Sequence, residues 1–154
     1  GENLEALIKA TQSDLDAAEK RLADDPPEAR VGREPELAER VNQRITDSRR
    51  ALDAKDFLET RDMLRDSVRS AADLLRQLRA EESLQQAFSP RAKPAAERRA
   101  HAEQASERLN KALDRIEKLF PDPREVMSQK QMQQMQQLQQ RQQEISRQTR
   151  QHPC

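Results

Sequence analysis

The sequence predicts an all-α protein, an elongated antiparallel helical bundle or coiled coil of four to five helices. Only 2 of the 154 residues are Gly, which argues against a β protein with many turns. Charged residues make up 36% of the chain and aromatic residues 2%, so a thick layered core is excluded. Thin bundles and coiled coils need only about two or three apolar residues in every seven, and the apolar residues of this chain recur at such spacings.

The stretch from Phe57 to Phe88 is predicted to be the central helix, because it lacks Gly and Pro and keeps one apolar stripe. The residues of this stripe are Phe57, Leu64, Val68, Ala71, Leu75 and Leu78, and three further leucines broaden it, Leu58, Leu74 and Leu84. A broad stripe indicates contact with more than one neighbouring helix. Arginines such as Arg61 and Arg65 fall between the apolar positions, so we expect them to face solvent.

Two helices are predicted before the central one, over residues 3–23 and 35–53. The first begins at Asn3, a good N-cap, and ends before Pro26-Pro27. Its seam positions step by three or four residues, namely Leu4, Ile8, Thr11, Leu15, Ala18 and Leu22. The second helix has Pro35 in its first turn, where the missing N–H does no harm. Its inner face is predicted to consist of Leu37, Val41, Ile45, Ser48 and Leu52.

The central helix is predicted over residues 56–88, with Asp56 as its N-cap and Ser89-Pro90 as its end. A fourth helix is predicted over residues 95–120, before the stiff segment Pro121-Asp122-Pro123. The seam of this fourth helix consists of Ala102, Ala105, Leu109, Ala112, Ile116 and Leu119. Together the four helices predict a bundle over residues 1–120.

Residues 124–151 form the fifth predicted helix, which is rich in Gln, with 12 Gln between Gln129 and Gln151. Its apolar seam is sparse, and the polar Gln142 occupies one seam position. The residues predicted to contact a partner are Met132, Met135, Leu138, Gln142 and Ile145. A helix of this kind is marginal alone. Two alternatives remain open: the helix packs on the bundle, or it mediates self-association or docking onto a larger protein.

The sequence contains no recognisable catalytic, cofactor-binding or metal-binding signature, so we expect a protein that is not an enzyme and uses no cofactor or metal. Its carboxylates alternate with Lys and Arg along helical faces, as solvated ion pairs do. His101 follows Glu97 by four residues, the nearest approach to a metal-ligand pair, and is expected to face solvent. Cys154 is the only cysteine. We expect a free thiol there, with an intermolecular disulfide as the alternative.

The 28 basic and 28 acidic residues cancel, which removes the global field that would attract the chain to nucleic acid or an anionic membrane. Local arginine clusters leave a contact with nucleic acid open as an alternative. These clusters are Arg40/Arg44, Arg49-Arg50, Arg61/Arg65/Arg69, Arg76/Arg79 and Arg98-Arg99. Each has acidic neighbours within one turn, and no aromatic residues accompany them for base stacking, so surface ion pairing is the expected role.

The stretch LFPDPREVMSQKQMQQMQQLQQRQQEISRQTRQ, which begins at Leu119, carries a resemblance to known proteins. It is similar to the Pro-containing hinge and the Gln- and Arg-rich helix of large membrane-anchored proteobacterial proteins of unknown function. Residues 37–88 look like the Ala-, Leu-, Arg- and Glu-rich hairpin that precedes this hinge. The resemblance implies a bacterial helical region outside the cytoplasmic membrane, tethered by other segments, and it supplies no active residues.

The function predicted from the sequence is a non-enzymatic helical scaffold or protein–protein interaction module, which contacts a protein partner or further copies of the chain through helical seams. The alternative is a nucleic-acid-associated accessory module. No apolar run approaches the roughly 20 residues that a membrane span requires. Because the chain lacks an initial Met, we expect a piece of a longer protein, whose other parts could carry a tether. The expected compartment is periplasmic or membrane-tethered if the resemblance holds, and cytoplasmic otherwise.

Overall fold

The computed structural model describes residues 2–84 and 94–151, and these residues form helices with short connections. The helices are α1 (Glu2–Ala23), α2 (Glu34–Asp53), α3 (Phe57–Leu84), α4 (Ala95–Leu119) and α5 (Pro123–Gln151), and a 3-10 turn, Pro27–Ala29, follows α1. No strand occurs among the described residues, and the predicted all-α helical bundle is confirmed. The predicted extension of the central helix to residue 88 and its end at Ser89-Pro90 lie outside the described residues.

The chain divides into two compact units, Gly1–Phe120 and Pro121–Cys154. In the first unit, each of the helices α1–α4 packs against two others, in the cyclic order α1, α2, α3, α4 and back to α1. The second unit contains α5 as its only helix in the described part of the chain.

Neighbouring helices of the bundle run antiparallel. Helices α2 and α3 are joined by only three residues, and α1 runs against α4, since Asp14 pairs with Arg115 and Asp25 lies against His101. For α3 and α4, two ion pairs show the direction. Arg65 near the start of α3 pairs with Glu117 near the end of α4. Conversely, Arg99 near the start of α4 pairs with Glu82 near the end of α3. In this up-down-up-down arrangement, the starts of α2 and α4 and the ends of α1 and α3 lie at one end of the bundle. We call this end of the bundle the polar end, because it contains the buried charged residues described below.

The core of the bundle lies between the four predicted seams. Its buried apolar residues are Leu15, Ala18, Leu22, Leu37, Ala38, Val41, Ile45, Leu52, Leu64, Ala71, Leu74, Leu75, Leu78, Ala102, Ala105, Leu109, Ala112 and Ile116. Phe57, Val68 and Ile8 are partly buried against this core. Ser48, a polar seam position, is buried as well, and its Oγ donates to the carbonyl oxygen of Arg44 at 2.8 Å, which offsets the loss of water.

Four leucines that the predicted stripes included are exposed. Leu58 and Leu84 of α3 are 55% and 63% exposed, and Leu4 and Leu119 are 37% and 52% exposed. The helical period explains the exposure of Leu84 on α3, because at about 100° per residue this side chain lies nearly opposite the buried Leu64. Leu4 and Leu119 lie at helix ends, at the margin of the core. The prediction that these four leucines belong to the buried stripes was therefore wrong.

Arg61 is buried, so the prediction that the arginines of the central helix face solvent was wrong at this position. Its Nη1 donates to the carbonyl oxygen of Phe120 at 3.0 Å. The ring of Phe120 in turn stacks on the ring of Phe57, with the centroids 4.9 Å apart. A cation is favourable at a helix C-terminus, where carbonyl groups lack helical partners. Arg61 thereby joins the start of α3 to the end of α4.

The predicted break between α2 and α3 forms without Gly or Pro. Lys55 adopts a positive φ of 58°, and its N–H donates to the carbonyl oxygen of Leu52 at 2.9 Å, while the N–H of Asp56 donates to that of Ala51 at 3.0 Å. These two bonds form a Schellman C-cap on α2. Asp56 then caps α3, since its Oδ1 accepts the N–H of Glu59 at 3.1 Å. The predicted N-cap is confirmed.

Candidate functional site

Helix α5 carries all five residues that the sequence predicted as partner contacts, and the structure leaves them exposed. Met132, Met135, Leu138 and Ile145 are 57–63% exposed, and Gln142 is exposed as well. Met127, five residues before Met132, is 58% exposed. Every other side chain described on α5 is also exposed. This helix therefore presents large apolar groups to solvent, which is the usual mark of an interaction surface.

The apolar residues of α5 follow the heptad spacing of a coiled coil. Met135, Gln142 and Thr149 are seven residues apart, and Leu138 and Ile145 form a second row with the same spacing, so the five share one helical face. We call these five residues the α5 seam. The hydroxyl of Thr149 donates to the carbonyl oxygen of Ile145 at 2.9 Å, so it needs no other acceptor. The amide of Gln142 is left as the one strongly polar group on the seam.

The flanks of the α5 seam are almost uncharged. The charged residues between Met127 and Thr149 are Lys130, Arg141, Glu144 and Arg147. By the heptad spacing, Arg141 alone lies directly beside the seam, and the others lie on the outer faces. The flanking positions are otherwise filled by Met, Gln and Ser. A second helix could approach this face without desolvating a row of charges.

A buried charged cluster occupies the polar end of the bundle. Glu34, the first residue of α2, has a fully buried side chain, and the side chain of Arg98, near the start of α4, is 4% exposed. Arg98 binds Glu34 with two hydrogen bonds, from Nε to Oε1 at 2.7 Å and from Nη2 to Oε2 at 3.1 Å. Nη2 also donates to Oε2 of Glu81, near the end of α3, at 3.0 Å. Arg98 thus holds two carboxylates from two neighbouring helices.

The environment of Glu81 changes its acidity. Burial, together with the hydrogen bond and the negative charge of neighbouring Glu34, raises the pKa of Glu81 to about 7. The hydrogen bonds that Gln77 and Arg98 donate to this carboxylate lower its pKa but do not outweigh these effects. At pH 7 the Glu81 carboxyl group is therefore protonated in about half of the molecules.

The connection between α1 and α2 enters the same cluster through Asp25 and Arg30, both of which are buried. Oδ2 of Asp25 lies 2.8 Å from Nδ1 of His101 on α4, and the His101 side chain is only 19% exposed. The prediction that His101 faces solvent was wrong, because the end of α1 packs against it. Arg30 donates from Nη2 to the carbonyl oxygen of Leu22 at 3.1 Å, and burial lowers the pKa of Arg30.

These six residues, Asp25, Arg30, Glu34, Glu81, Arg98 and His101, form what we call the polar-end cluster. Sequence reasoning missed it, although a signal existed. Glu34 lies three residues before Leu37, Arg98 four before Ala102, and Glu81 three after Leu78, so each extends an apolar seam by one step. A charged residue in such a position is expected to need a buried partner. The seams of α2, α3 and α4 each end in a charged residue, and the charges have both signs. This pattern indicates that these three helix ends lie together.

The polar-end cluster does not have the geometry of a metal site. In the described part of the chain, no three His, Cys, Asp or Glu residues lie close enough together to hold a metal ion. The guanidinium of Arg98 lies between the carboxylates of Glu34 and Glu81, where a cation would otherwise bind. The interactions that the structure shows here are ion pairs and hydrogen bonds.

The arginine clusters that could have contacted phosphates are paired with carboxylates. The clearest case is Arg49, whose guanidinium lies 2.8 Å from both Asp16 and Glu19 of α1. Further ion pairs within 4.0 Å are Arg40–Glu36, Arg44–Asp47, Arg50–Asp47, Arg61–Asp62, Arg65–Glu117, Arg69–Asp66, Arg76–Asp73, Arg79–Glu103 and Arg99–Glu82. The arginine charges of these clusters are thus compensated locally.

A groove of about 360 Å³ between α2 and α3 is lined by several basic residues. Arg33, Arg40 and Arg76 line it, together with Asp73. The three arginine side chains are 56–75% exposed, and each lies within 4.0 Å of a carboxylate. An anion bound there would compete with these carboxylates in open solvent. The groove is therefore a weak candidate for a ligand site.

No helix of the described residues is both long enough and apolar enough to cross a membrane. No family model matches the chain, and neither a curated protein nor a solved structure matches it significantly. The resemblance to membrane-anchored proteobacterial proteins therefore stays a prediction, and the case for a function rests on the geometry of α5 and of the bundle.

Proposed function

We propose that this chain is a non-enzymatic protein–protein interaction module, in which the bundle of α1–α4 is the folded body and α5 is the contact surface. The observation that carries this proposal is the exposure of the α5 seam. Met135, Leu138 and Ile145 lie on one face of a 29-residue helix and are 57–61% exposed. A second helix that packs against this face of α5 would bury the seam residues.

The energetics of α5 support the need for a partner. Burying three large apolar side chains contributes about 5–9 kcal/mol at most, at about 1.5–3 kcal/mol each. Ordering the backbone opposes helix formation by about 1–2 kcal/mol per residue, and hydrogen bonds within the helix recover only part of that cost. A long helix whose side chains all face water is therefore marginal by itself. Contact with a second helix removes the seam from water and stabilises α5.

The nucleic-acid alternative has less support. The arginines of the bundle are paired with carboxylates, and α5 lacks aromatic residues on which bases could stack. Helix α5 does carry more basic than acidic residues, but they do not form one stripe. Lys130 and Arg150, for example, are 20 residues apart and lie nearly opposite each other around the helix.

Site-specific photo-crosslinking tests the proposal. A photoreactive residue replaces Met135 on the seam or, as the matched control, Gln140 on the opposite face of the same helix, in cells that express the protein. We expect Met135 to give crosslinks to protein, either a second copy or another chain, and Gln140 to give few. Equal crosslinking at the two positions would contradict the proposal.

A salt titration addresses the alternative function. Binding of the full chain to generic duplex DNA and to RNA is measured by fluorescence anisotropy at increasing salt. We expect weak binding, because the basic residues are mostly compensated. Tight binding whose affinity falls steeply with salt would favour phosphate contacts and the nucleic-acid-associated module instead.

A further inference from the structure

The α5 seam suits a second copy of itself, and the first reason is electrostatic. Arg141 is the only charged residue directly beside the seam between Met127 and Thr149. In a parallel, in-register pair, a residue on this flank faces the residue five positions later on the other helix. Arg141 would therefore face Ser146 of the second copy, and no like charges would meet. A symmetric pair forms on this face without repulsion.

The second reason is the polar residue in the middle of the seam. A primary amide carries both donors and acceptors, so Gln142 can form hydrogen bonds with Gln142 of a second copy in the same layer. Facing a purely apolar partner, the same amide would lose water without gaining a bond. A buried polar layer of this kind also fixes the register of a coiled coil. The seam therefore favours a partner that has an amide at the same height, as an identical helix does.

The third reason concerns the methionines outside the two seam rows. Met127 and Met132 are five residues apart, on opposite flanks of the seam, and both are exposed. In a parallel pair, Met127 of each helix would face Met132 of the other. These contacts would cover the first heptad, in which the seam positions Ser128 and Gln131 are polar. Parallel pairing thus accounts for two apolar residues that a single seam does not explain.

Antiparallel pairing fits less well. If Met135 faces Ile145 of the second copy, Gln142 faces Leu138 and its amide loses water without a partner. If Met135 instead faces Leu138, the two glutamines Gln142 and Gln131 meet, but Ile145 then faces Ser128. In the parallel register, each large apolar seam residue faces the same residue of the second copy.

We propose that α5 pairs with α5 of a second copy of this chain in a parallel, in-register coiled coil, with Gln142 against Gln142. This inference rests on the proposed function, since it identifies the partner of the same surface. The paired region from Met127 to Thr149 spans only about three heptads, so association is concentration-dependent. The second copy supplies the residues that cover Met135, Leu138 and Ile145.

Sedimentation of the full chain over roughly a hundredfold range of concentration tests the association. We expect the mass to rise above that of one chain. The Leu138→Glu variant should weaken association at least about tenfold, because it buries a carboxylate in the seam. The matched control Gln140→Glu adds the same charge on the outer face and should leave association within about twofold.

Disulfide trapping tests the direction and the register. In a Cys154→Ser background, the Leu138→Cys chain should form a symmetric disulfide-linked dimer under mild oxidation, because identical residues meet in a parallel pair. The Gln140→Cys chain, with its thiol on the outer face, should not. Equal dimer yields from the two chains, or no dimer from either, would overturn the parallel pair.

The two levels of the proposal fail in different ways. A chain that is monomeric at every concentration, yet crosslinks from Met135 to a different protein, refutes self-pairing and keeps the interaction module. A chain that is monomeric and crosslinks from neither position refutes both.

Discussion

Helices α4 and α5 carry heptad seams of similar spacing, but the seam of α4 is mostly buried and that of α5 is exposed. The seam positions of α4 from Ala102 to Ile116 are at most 2% exposed, and only the terminal Leu119 is exposed, whereas the large apolar residues of the α5 seam are 57–61% exposed. The difference lies in what fills the seams. Every buried seam position of α4 is apolar, but α5 alternates its few apolar residues with Gln and Thr. Periodicity thus predicts which face of a helix is apolar, and the number of apolar side chains indicates whether that face can join a core.

The bundle and α5 also differ in how they treat charge. The bundle buries charges at its polar end, where Arg98 joins carboxylates of α2 and α3. Helix α5 exposes every charged side chain described on it. Substitutions in the bundle should therefore act on folding, whereas substitutions on α5 should act on association.

The largest effect is expected at Arg98. The Arg98→Met change leaves Glu34 buried without its cation, and breaking a buried pair in this way costs about 3–5 kcal/mol. The free energy of unfolding from urea denaturation measures the loss, and Arg147→Met on the exposed α5 is the matched control. The double change Glu34→Met with Arg98→Met should recover much of the loss, because it removes the fully buried carboxylate, and the remaining Glu81 is partly exposed and can take up a proton. A loss below about 1 kcal/mol for Arg98→Met would show that the cluster is solvated.

A comparably large effect is expected in the core. The Leu109→Ala change should cost about 2–5 kcal/mol, as should Leu64→Ala and Leu75→Ala, because each removes buried methyl groups and leaves a cavity. The same change at Leu138 on α5 should cost less than about 0.5 kcal/mol under monomeric conditions. Arg65→Ala, which removes the partly exposed ion pair to Glu117, should cost about 1 kcal/mol or less. Equal small losses at all these sites would contradict the division into core and contact helix.

A smaller effect is expected from pH at the polar end. Glu81 has a pKa of about 7 in the folded chain, against 4.5 for the ordinary group. Between these values the folded state keeps a proton that the unfolded state has lost, so the contribution of Glu81 to the free energy of unfolding falls as pH rises from about 4.5 to about 7. It is present in full below pH 4.5 and changes no further above pH 7.

The Glu81→Gln variant isolates this effect, because it removes the ionisable group of Glu81 and keeps the other charged residues of the cluster, which are Asp25, Arg30, Glu34, Arg98 and His101. The unfolding free energy of Glu81→Gln should decline less than that of the natural chain over the same pH range. Glu144→Gln, on the exposed α5, should follow the natural chain. Parallel profiles for all three proteins would mean that Glu81 is not a proton-binding group of the folded state.

The smallest effect on folding is expected from removing α5. A chain of residues 1–120 should unfold cooperatively, with a midpoint temperature close to that of the full chain, because the core residues all lie on α1–α4. It should lose self-association completely. Calorimetry and sedimentation on the two chains measure the two properties. A truncated chain that is unfolded or molten would place α5 in the folding core and would require a search for the contact surface elsewhere.

Much of the fold could be predicted from local patterns. The bounds of α1, α2 and α4 agree with prediction to within one residue, because prolines and capping residues act within a single turn. The break before α3 was also predicted, although only the structure shows the positive φ of Lys55 that makes it. The stripes failed at Leu58 and Leu84, because the helical period of about 100° per residue turns both side chains away from the buried face that contains Leu64.

Of the two candidate sites, one could be predicted from local sequence patterns and the other could not. The residues of the α5 seam could be predicted because heptad spacing is a local property, and their exposure is consistent with the partner role assigned to them. The polar-end cluster could not be predicted as a cluster. Buried charges depend on a partner from another helix, and no local pattern says which helix supplies it.

The sequence by itself determined which segments are helical and which face of each is apolar, because hydrogen bonding and periodicity in a helix join residues only a few positions apart. The tertiary structure alone decided which charges meet. Arg98 binds Glu34 across 64 residues of sequence, and His101 lies against Asp25 across 76. Burying these charges is tolerable only where an opposite charge is delivered to within hydrogen-bonding distance, and the antiparallel packing of four helix ends brings it there.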